Sequence, residues 1–372
     1  MKVALVRGKY LNQFEMQNYA PLKRRFKITA FASLRPVHEN IGLPIKKLPS
    51  SMDLPDFPYK LQILNRLMVD AMYLAGLEKA LKGFDLVCTR ETYFHFTKQA
   101  LIAKKKGFIK KVLITCSETI PGNHEGIWGR KAFKKRAINE ADHFHCLTQK
   151  ARDCLIKEGC DPTKITVVGY GIDLDKFKER KSPVPSPQSP VKILFVGRLV
   201  KEKGILDLLE ALKRRFKVQG SRLKVELQII GQGPLEKKIR KMSTPIPIEI
   251  KKNISYKDMP QIYQNADIFV LPSKPTKHWE EYYGMVLIEA MACGLPVIST
   301  KSGAIPEVVG DAGILVKPGS VRQLKEALGK LIKSKKLRKS LGQKARKRAE
   351  KYFNAKKQAV KLGELWRRVL KK

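Results

Sequence analysis

The sequence predicts an α/β protein of two doubly wound domains, and three observations carry that prediction. Its 372 residues exceed the usual size of one domain. Short β-rich runs alternate with helical runs in both halves, which indicates parallel sheets covered by helices. A stretch rich in Pro and Ser, KERKSPVPSPQSP at 178–190, has no apolar periodicity and predicts a linker between the halves.

The chain is therefore expected to have four parts. Residues 1–178 form an N-terminal domain, 179–190 the linker and 191–350 a C-terminal domain. Residues 351–372 form a terminal helix that packs back on the N-terminal domain. Two such domains face each other across a cleft between the carboxyl ends of their sheets, where ligands bind in doubly wound folds.

In the N-terminal half the pattern predicts six strands and five helices, interrupted by one irregular Pro-rich stretch at Pro44–Pro58. The strands are expected at Lys2–Arg7, Lys27–Ser33, Asp85–Arg90, Lys111–Ser117, Asp142–Leu147 and Ile165–Gly169. The helices are expected at Asn12–Arg25, Leu61–Leu81, Phe94–Lys106, Trp128–Asn139 and Gln149–Glu158.

Beyond the linker the same alternation restarts. The strands are expected at Val191–Val196, Lys224–Ile230, Ile246–Ile250, Asp267–Leu271, Pro296–Thr300 and Gly313–Val316. The helices are expected at Gly204–Phe216, Leu235–Lys241, Met259–Asn265 and Met285–Cys293, followed by a short helix and a basic helical tail.

Charge is the outlier of the composition. Seventy-five Lys and Arg against 34 Asp and Glu leave a formal net charge of +41, an excess that concentrates polyanions such as nucleic acid, anionic lipid or phosphorylated small molecules. Basic segments 104–111 and 130–138 combine cations with large apolar residues, which suits docking on an anionic membrane surface. A solvated basic face is the alternative. No RRM, KH or helix-turn-helix pattern accompanies the charge, so no specific nucleic acid is expected as a partner.

The predicted localisation depends on two kinds of segment, a membrane-spanning apolar run and a secretory signal. No apolar run reaches the length needed to cross a bilayer. Six scattered cysteines with no secretory signal before them indicate a reducing, cytoplasmic compartment, with a peripheral position on the cytoplasmic face of the membrane as a further hypothesis. His143 and His145 lie near Cys146, Cys154 and Cys160, but without CxxC or HxxxH spacing, so packing is favoured over a metal site.

Two turns in the C-terminal half have the composition of phosphate sites. Strand Val191–Val196 runs into Gly197 and Arg198, and Lys203 lies just before the next helix, where cations and free amides suit phosphate. The strand that ends at Ile230 is followed by Gly231 in the turn GQGP, whose glycines permit close backbone approach. One such turn by itself is equally well a structural turn.

The segment Glu281–Glu289, EYYGMVLIE, is the sharpest motif. Glu281 precedes a helix, and the first amides of that helix, near Gly284, Met285 and Val286, are free to point at a phosphate. Glu289 lies on an otherwise apolar helix, where a buried carboxylate requires hydrogen-bond donors. Ribose hydroxyls would supply them, and a structural role with backbone partners is the alternative.

Read together, VGRLVKEKG, IIGQGP, ADIFVLPS, EYYGMVLIEAMACGLPVI and SGAIPEVV resemble, in order and spacing, the motifs of glycosyltransferase family 4. The resemblance implies retaining, nucleotide-sugar-dependent enzymes with two Rossmann-like domains, the GT-B fold. It implies that Arg198 and Lys203 neutralise the donor diphosphate, that Glu281 holds donor-sugar hydroxyls, and that Glu289 holds the ribose. It further implies a pocket of amides at 284–286 for the distal phosphate and sugar, and catalysis without a metal or other cofactor.

The N-terminal half departs from the family pattern. The family often has a Gly-Gly loop after the first strand, whereas Gly8 is the single glycine here. Many members carry a histidine near the sugar after the strand that ends near Ser117; this chain has Glu118 there and His124 further on. Gly8, Arg90, Glu118 and His124 are the acceptor-side candidates, with a loop or capping role as the alternative for Glu118 and the same ambiguity for Arg90 and Glu91.

The resemblance predicts transfer of a hexose from a UDP- or GDP-sugar to a hydroxyl acceptor, with a lipid-linked or cell-envelope glycan as the acceptor hypothesis. The alternatives are a basic nucleic-acid-binding protein and a catalytically inactive protein, each on a transferase-like fold. The sequence names neither the sugar, the base, the acceptor nor a general base.

Overall fold

Two parallel β-sheets and the helices packed on them build the chain in this computed structural model, which describes residues 1–179, 189–213, 217–218, 221–222 and 224–371. The strands are β1 Lys2–Gly8, β2 Lys27–Ala32, β3 Ile45–Lys47, β4 Phe84–Arg90, β5 Ile109–Cys116, β6 His143–Cys146, β7 Ile165–Val167, β8 Val191–Val196, β9 Lys217–Val218, β10 Ser221–Arg222, β11 Val225–Ile230, β12 Ile248–Lys251, β13 Ile268–Leu271, β14 Val297–Thr300 and β15 Gly313–Val316.

The α-helices are α1 Gln13–Met16, α2 Lys60–Met68, α3 Leu77–Ala80, α4 His95–Lys105, α5 Arg130–Glu140, α6 Gln149–Lys157, α7 Ile205–Leu212, α8 Glu236–Lys241, α9 Met259–Gln264, α10 Met285–Ala292, α11 Ile305–Val309, α12 Val321–Lys333, α13 Lys335–Tyr352 and α14 Ala355–Lys371. Short 3₁₀ turns lie at Ala20–Arg24, Ser51–Asp53, Pro162–Lys164 and Lys201–Lys203.

The chain divides into two compact units. Unit 1 comprises Met1–Gly171 and Ala355–Lys372, and unit 2 comprises Ile172–Asn354. Unit 1 holds a seven-stranded parallel sheet in the order β3-β2-β1-β4-β5-β6-β7, and unit 2 a six-stranded parallel sheet in the order β12-β11-β8-β13-β14-β15. The predicted fold class, two doubly wound α/β domains, is confirmed.

Continuous apolar runs explain why both sheets are parallel. In β13 and β14 all eight residues are buried, and five consecutive residues of β5 are buried as well. A strand covered by helices on both faces needs such a run, whereas a strand with one solvent-exposed face alternates apolar and polar residues. Functional side chains are therefore excluded from the strand interiors and collect where the strands end.

The division between the units falls after Gly171 rather than after Lys178. The Ile172 amide donates to the Phe353 carbonyl oxygen at 2.7 Å, and the Phe177 ring lies 6.1 Å from that of Tyr263, so 172–178 is held by unit 2. The predicted linker lies outside the described residues apart from its ends, 179 and 189–190.

The terminal helix α14 starts at Ala355, four residues later than expected, because α13 continues to Tyr352. It belongs to unit 1. Its Trp366 is fully buried, with its ring stacked 5.8 Å from Tyr19 and edge-on 5.2 Å from Phe26. Large aromatic contacts of this kind account for the return of the chain end to the first unit.

Two predicted helices are wrong in extent. The helix expected over Asn12–Arg25 is α1 followed by a separate 3₁₀ turn. Pro21 lies in the first turn of that 3₁₀ segment, because proline has no N–H to donate within a continuing α-helix. The helix expected over Leu61–Leu81 ends at Met68, where Val69 takes a left-handed backbone conformation with φ 66°. The Asp70 carboxylate then binds the Met72 amide and the Arg130 guanidinium, both at 2.9 Å, and these bonds hold the chain out of the helix.

The Pro-rich stretch expected to be irregular contains β3, which pairs with β2. None of the helices described is both long and apolar enough to cross a membrane.

Candidate active site

An ion pair between Lys203 and Glu281 lies at the carboxyl ends of the unit 2 strands. The Lys203 Nζ is 2.7 Å from the Glu281 Oε2, and the two side chains are 14% and 9% exposed. The Ser273 hydroxyl donates to the same carboxylate oxygen at 2.8 Å. Two residues predicted as catalytic thus meet directly, although 78 positions separate them in sequence.

Glycines allow the loops that carry this pair to touch. A Cβ on Gly204 would lie 1.9 Å from the Pro272 carbonyl oxygen, and one on Gly303 would lie 2.2 Å from the carbonyl oxygen of Glu281. Both glycines also have positive φ, which other residues adopt at a cost. The loops after β8, β13 and β14 therefore pack backbone to backbone, and this packing fixes where Lys203 and Glu281 stand.

The turns after β8 and β11 are joined in the same way. The Leu199 amide donates to the Gln232 carbonyl oxygen at 2.9 Å, and a Cβ on Gly231 would lie 1.9 Å from the Gly197 carbonyl oxygen. Gly231, predicted as a donor-binding residue, is thus needed for the contact between adjacent strand ends, whereas a Cβ on Gly197 would meet only side chains at an ordinary 3.7 Å. The Arg198 side chain between them is exposed to solvent.

Helix α10 begins at the expected position. Gly284 precedes it with φ 78°, and Met285 and Val286 are half-buried in its first turn. The first amides of an α-helix have no acceptor within the helix and carry the positive end of its dipole. An anion is therefore favoured at this end, three residues after Glu281.

Glu289 is buried on the same helix, and its partners are tyrosines. The Tyr263 hydroxyl donates to Glu289 Oε2 at 2.7 Å. Burial raises the pKa of Glu289 to about 7, against the smaller opposing effect of hydrogen bonds from Tyr263 and Tyr256. The carboxyl group therefore changes charge near neutral pH, and the partners that the structure describes for it are tyrosine hydroxyls.

In unit 1 the end of β1 carries a buried charge network in place of a Gly-Gly loop. Arg7 is fully buried and pairs with Glu15 at 2.6 Å, and Arg90 reaches the other oxygen of Glu15 at 2.9 Å. Burial alone would raise the pKa of Glu15, but Arg7 and Arg90 together lower it to about 2. Arg90, a predicted acceptor-side residue, is thus first of all a structural partner of Glu15.

Glu118 anchors the loop that follows β5. Its carboxylate accepts hydrogen bonds from the Thr119 and Ile120 amides and from the Asn123 side chain, each at 2.9 Å. The His124 Nε2 lies 3.4 Å away, and although burial acts in the opposite direction, these donors lower the pKa of Glu118. A saturated carboxylate of this kind favours the loop role over that of a base.

Two further candidates stand near that loop. His124 has a left-handed backbone, φ 64°, and its ring lies 4.7 Å from the Tyr93 ring. Gly8 ends β1 with φ 55°, and a Cβ there would meet only the Phe96 ring at an ordinary 3.6 Å. Glu91 combines a left-handed backbone, φ 52°, with a buried carboxylate that accepts from the Ser117 hydroxyl at 2.6 Å.

Two family models match the chain in tandem. The model described as Glycosyltransferase Family 4 covers residues 42–176, and the one described as Glycosyl transferases group 1 covers residues 175–348. This chain belongs to glycosyltransferase family 4. Its two parallel-sheet units are those of the GT-B fold.

Similar proteins support the same assignment. The capsular polysaccharide biosynthesis glycosyltransferase CapM of Staphylococcus aureus is 34% identical over 52% of this chain and 52% of its own length. The GDP-mannose-dependent monoacylated alpha-(1-6)-phosphatidylinositol monomannoside mannosyltransferase of Corynebacterium glutamicum is 34% identical over 42% of each chain. The chain thus spans about half the length of these curated relatives or less.

Among solved structures, Anabaena HepE in complex with UDP and glucose superposes with a TM-score of 0.75 at 17% identity, covering 98% of this chain and 99% of that one. At this identity the likeness concerns the fold.

The basic segments of this family 4 protein are not the amphipathic surfaces expected from sequence. In 130–138 the apolar residues Phe133 and Ala137 are buried, and Arg130 and Lys134 are only 4% and 3% exposed because they pair with Asp70 and Glu158. In 104–111 Ile109 is buried and the cations at 104, 110 and 111 pair with Asp142 or Asp85. The contacts seen in these segments therefore do not support membrane docking through them, and that docking stays a prediction.

Sequence reasoning missed the side chains that hold the predicted carboxylates. Ser273 lies two residues after the end of β13, so a hydroxyl at the carboxyl end of a buried strand was an available signal. Tyr263 lies in the last turn of α9, and nothing in the sequence alone pairs it with Glu289, 26 residues later. Trp279, whose ring lies 4.7 Å from the Lys203 Nζ, was likewise missed.

Proposed function

We propose that the chain transfers a hexose from a UDP- or GDP-sugar to a hydroxyl acceptor with retention of anomeric configuration. The observation that carries the proposal is the Lys203–Glu281 pair three residues before the amino end of α10. A cation, a carboxylate and free amides are what a sugar diphosphate requires: positive charge for phosphate and an acceptor for sugar hydroxyls.

The chemistry follows from where charge develops. The bond between the anomeric carbon and the diphosphate oxygen breaks, and negative charge accumulates on the departing diphosphate. Lys203, Arg198 and the first amides of α10 stabilise that charge, which is greatest in the transition state. The acceptor oxygen then bonds to the anomeric carbon on the face that the diphosphate leaves, and its proton passes to an oxygen of the departing diphosphate.

The two carboxylates divide the remaining donor contacts. Glu281 accepts from hydroxyls of the sugar, and Glu289 from those of the ribose. A carboxylate has room for about four hydrogen bonds, so Glu289 can keep Tyr263 while it accepts a ribose hydroxyl. With cations and amides in these roles, the reaction is proposed to need neither metal nor other cofactor.

A donor screen tests the proposal. Purified chain is incubated with UDP-, GDP- and ADP-hexoses, and release of the free nucleotide diphosphate is measured together with the melting temperature in each diphosphate. We expect one UDP or GDP donor to be hydrolysed and its diphosphate to raise the melting temperature. If no diphosphate stabilises the chain and Glu289→Ala leaves every donor measurement unchanged, the transferase proposal is refuted.

The finer claims have their own measurements. The anomeric configuration of the transferred sugar is read by proton NMR on the product, and an inverted centre would overturn retention. Activity in excess EDTA should match that in magnesium; an activity that EDTA abolishes and magnesium restores would overturn metal independence.

The two rival functions predict different outcomes. A basic nucleic-acid-binding protein would bind oligonucleotides tightly at moderate salt while ignoring sugar nucleotides. An inactive family member would bind a diphosphate without hydrolysing any donor.

We also propose that the acceptor is membrane-associated, a proposal that concerns a different surface from segments 104–111 and 130–138. Helix α2 exposes Leu61, Ile63 and Leu67, the last at 76%, and Trp128 is 90% exposed. Gly129 packs against Val69 just beyond the end of α2, which brings Trp128 to the same side of unit 1. Exposed apolar residues of this size, with Arg66 exposed beside Leu67 in sequence, suit an anionic lipid surface.

Liposome flotation tests the surface. Recovery on vesicles of phosphatidylcholine with phosphatidylglycerol should exceed that on phosphatidylcholine alone, and Leu67→Glu with Trp128→Glu should abolish the excess. Val360→Glu, a matched change at an exposed apolar residue of α14, should not. Equal recovery on both vesicles, or equal loss in the control, would overturn membrane association.

A further inference from the structure

Trp279 lies in the segment that joins β13 to α10, two residues before Glu281. Its carbonyl oxygen accepts a hydrogen bond from the Thr276 amide at 2.7 Å, so a tight turn fixes its backbone. The indole is half-buried and meets the Tyr282 ring edge-on at 6.5 Å. The side chain is therefore held from its own loop, independently of any ligand.

The indole of Trp279 lies beside the ammonium group of Lys203. The Lys203 Nζ stands 4.7 Å from the centre of the Trp279 ring and 2.7 Å from the Glu281 carboxylate. A lysine has four rotatable bonds and a compact charge, so it loses much rotational freedom when it is fixed in one place. An indole face attracts such a cation most strongly among the aromatic rings.

We propose that Trp279 is a positioning residue for Lys203. Its ring restrains the lysine ammonium group in the position from which that group contacts the donor diphosphate. The inference rests on the proposed function, in which Lys203 contacts that diphosphate. In the protein alone, the ammonium has the carboxylate on one side and the indole on another. When a diphosphate arrives, Lys203 exchanges the Glu281 oxygen for a phosphate oxygen and keeps its contact with the ring.

The two contacts differ in how they respond to the ligand. Glu281 turns to the sugar hydroxyls, so its contact with Lys203 is given up, whereas the indole is neutral and does not compete with phosphate. A neutral platform restrains the lysine without adding a charge that the diphosphate must displace. Removing the platform should therefore weaken diphosphate binding rather than strengthen it.

The test is a double-mutant cycle on diphosphate affinity. UDP and, in parallel, GDP are titrated by calorimetry into the wild-type chain, Trp279→Leu, Lys203→Met and the double variant. We expect Trp279→Leu to weaken binding about 5- to 10-fold and Trp279→Phe to keep most of the affinity, because phenylalanine retains an aromatic face. In the K203M background Trp279→Leu should have less than about a 2-fold effect, because the cation is gone.

Trp128→Leu is the matched control, since it removes an exposed tryptophan of unit 1. It should leave diphosphate affinity unchanged. An equal loss on Trp279→Leu with and without Lys203 would assign Trp279 a structural role and overturn the proposal. Unchanged or tighter binding in the single variant would overturn it as well.

Fluorescence separates this inference from the proposed function. The contribution of Trp279 to emission is obtained by subtracting the spectrum of Trp279→Phe from that of the wild-type chain, without ligand. It should change in the K203M background, because the cation beside the indole has been removed. An unchanged contribution refutes the contact itself, whether or not UDP binds. If the contribution changes but neither diphosphate binds the wild-type chain, the proposed function fails and the assigned role of Trp279 falls with it.

Discussion

Replacing Glu289 with Gln should make the stability of the chain less dependent on pH. Burial raises the pKa of Glu289 from the ordinary 4.5 to about 7. A carboxyl group whose pKa is higher in the folded chain binds more protons when folded, so its ionisation lowers the free energy of unfolding as pH rises from about 4.5 to about 7. At about 1.4 kcal/mol for each tenfold change in proton affinity, the charged form costs roughly 3 kcal/mol in the folded chain above pH 7.

The assay is thermal unfolding of wild type and Glu289→Gln across pH 4.5 to 8. The amide oxygen of Gln can still accept the Tyr263 hydroxyl, and all other titrating groups are common to both proteins. The melting temperature of the variant relative to wild type should rise by roughly 6–12 °C over this range, since about 1 kcal/mol shifts a domain of this size by about 2–4 °C.

Glu326→Gln provides the control, because that carboxylate is exposed on α12 and pairs with the exposed Arg322. Its curve should stay within about 1 kcal/mol of wild type at every pH. Parallel curves for Glu289→Gln and wild type from pH 4.5 to 8 would refute the reasoning, because they would mean that Glu289 has the same pKa in the folded and unfolded chain.

Three further changes are expected to have defined effects. Gly204→Ala should destabilise the chain by about 1–3 kcal/mol more than Gly83→Ala in urea unfolding; both glycines have positive φ, but only Gly204 meets backbone, and equal losses would contradict the close approach. Glu15→Gln should cost about 3–5 kcal/mol at pH 7, because it leaves Arg7 buried without its counter-charge. That difference should shrink as pH falls from about 4.5 towards 2, since Glu15 has a lowered pKa and loses its own charge there; a difference constant with pH would be inconsistent. Ser273→Ala should raise the donor KM about 5-fold by freeing the Glu281 carboxylate, and an unchanged KM in initial-rate measurements would contradict that role.

The positions of β8, β13 and β14 along the chain were accessible from the sequence, because their apolar runs are buried almost throughout. Local composition also marked Gly284 as the start of α10. The interruption after Met68 was not accessible, because it depends on the bonds from Asp70 to Met72 and Arg130, and Arg130 is 60 positions away. Distant partners override helix propensity, which is a weak preference.

In the candidate site, too, the residues marked by local sequence could be predicted, and the contacts between distant residues could not. Lys203 and Glu281 are each marked by their position at the carboxyl end of a strand, so both could be named. Their mutual contact, and the partners Ser273, Tyr263 and Trp279, come from loops brought together by glycine approaches. The burial of Arg130 and Lys134 was not predicted for a related reason. From the sequence both were expected to be surface cations, whereas acidic residues distant in sequence pair with them inside unit 1.

In the ion pair between Lys203 and Glu281 each charge neutralises the other. If inorganic phosphate or a bare polyanion binds Lys203, the Glu281 carboxylate, which is only 9% exposed, loses its cationic partner. A molecule that brings anionic oxygens and hydroxyl hydrogens together, at the spacing of a sugar attached to a diphosphate, satisfies both partners at once. In a chain with a net charge of +41, this two-part requirement would let the site distinguish the proposed sugar-diphosphate donor from the many simpler anions that the rest of the surface attracts.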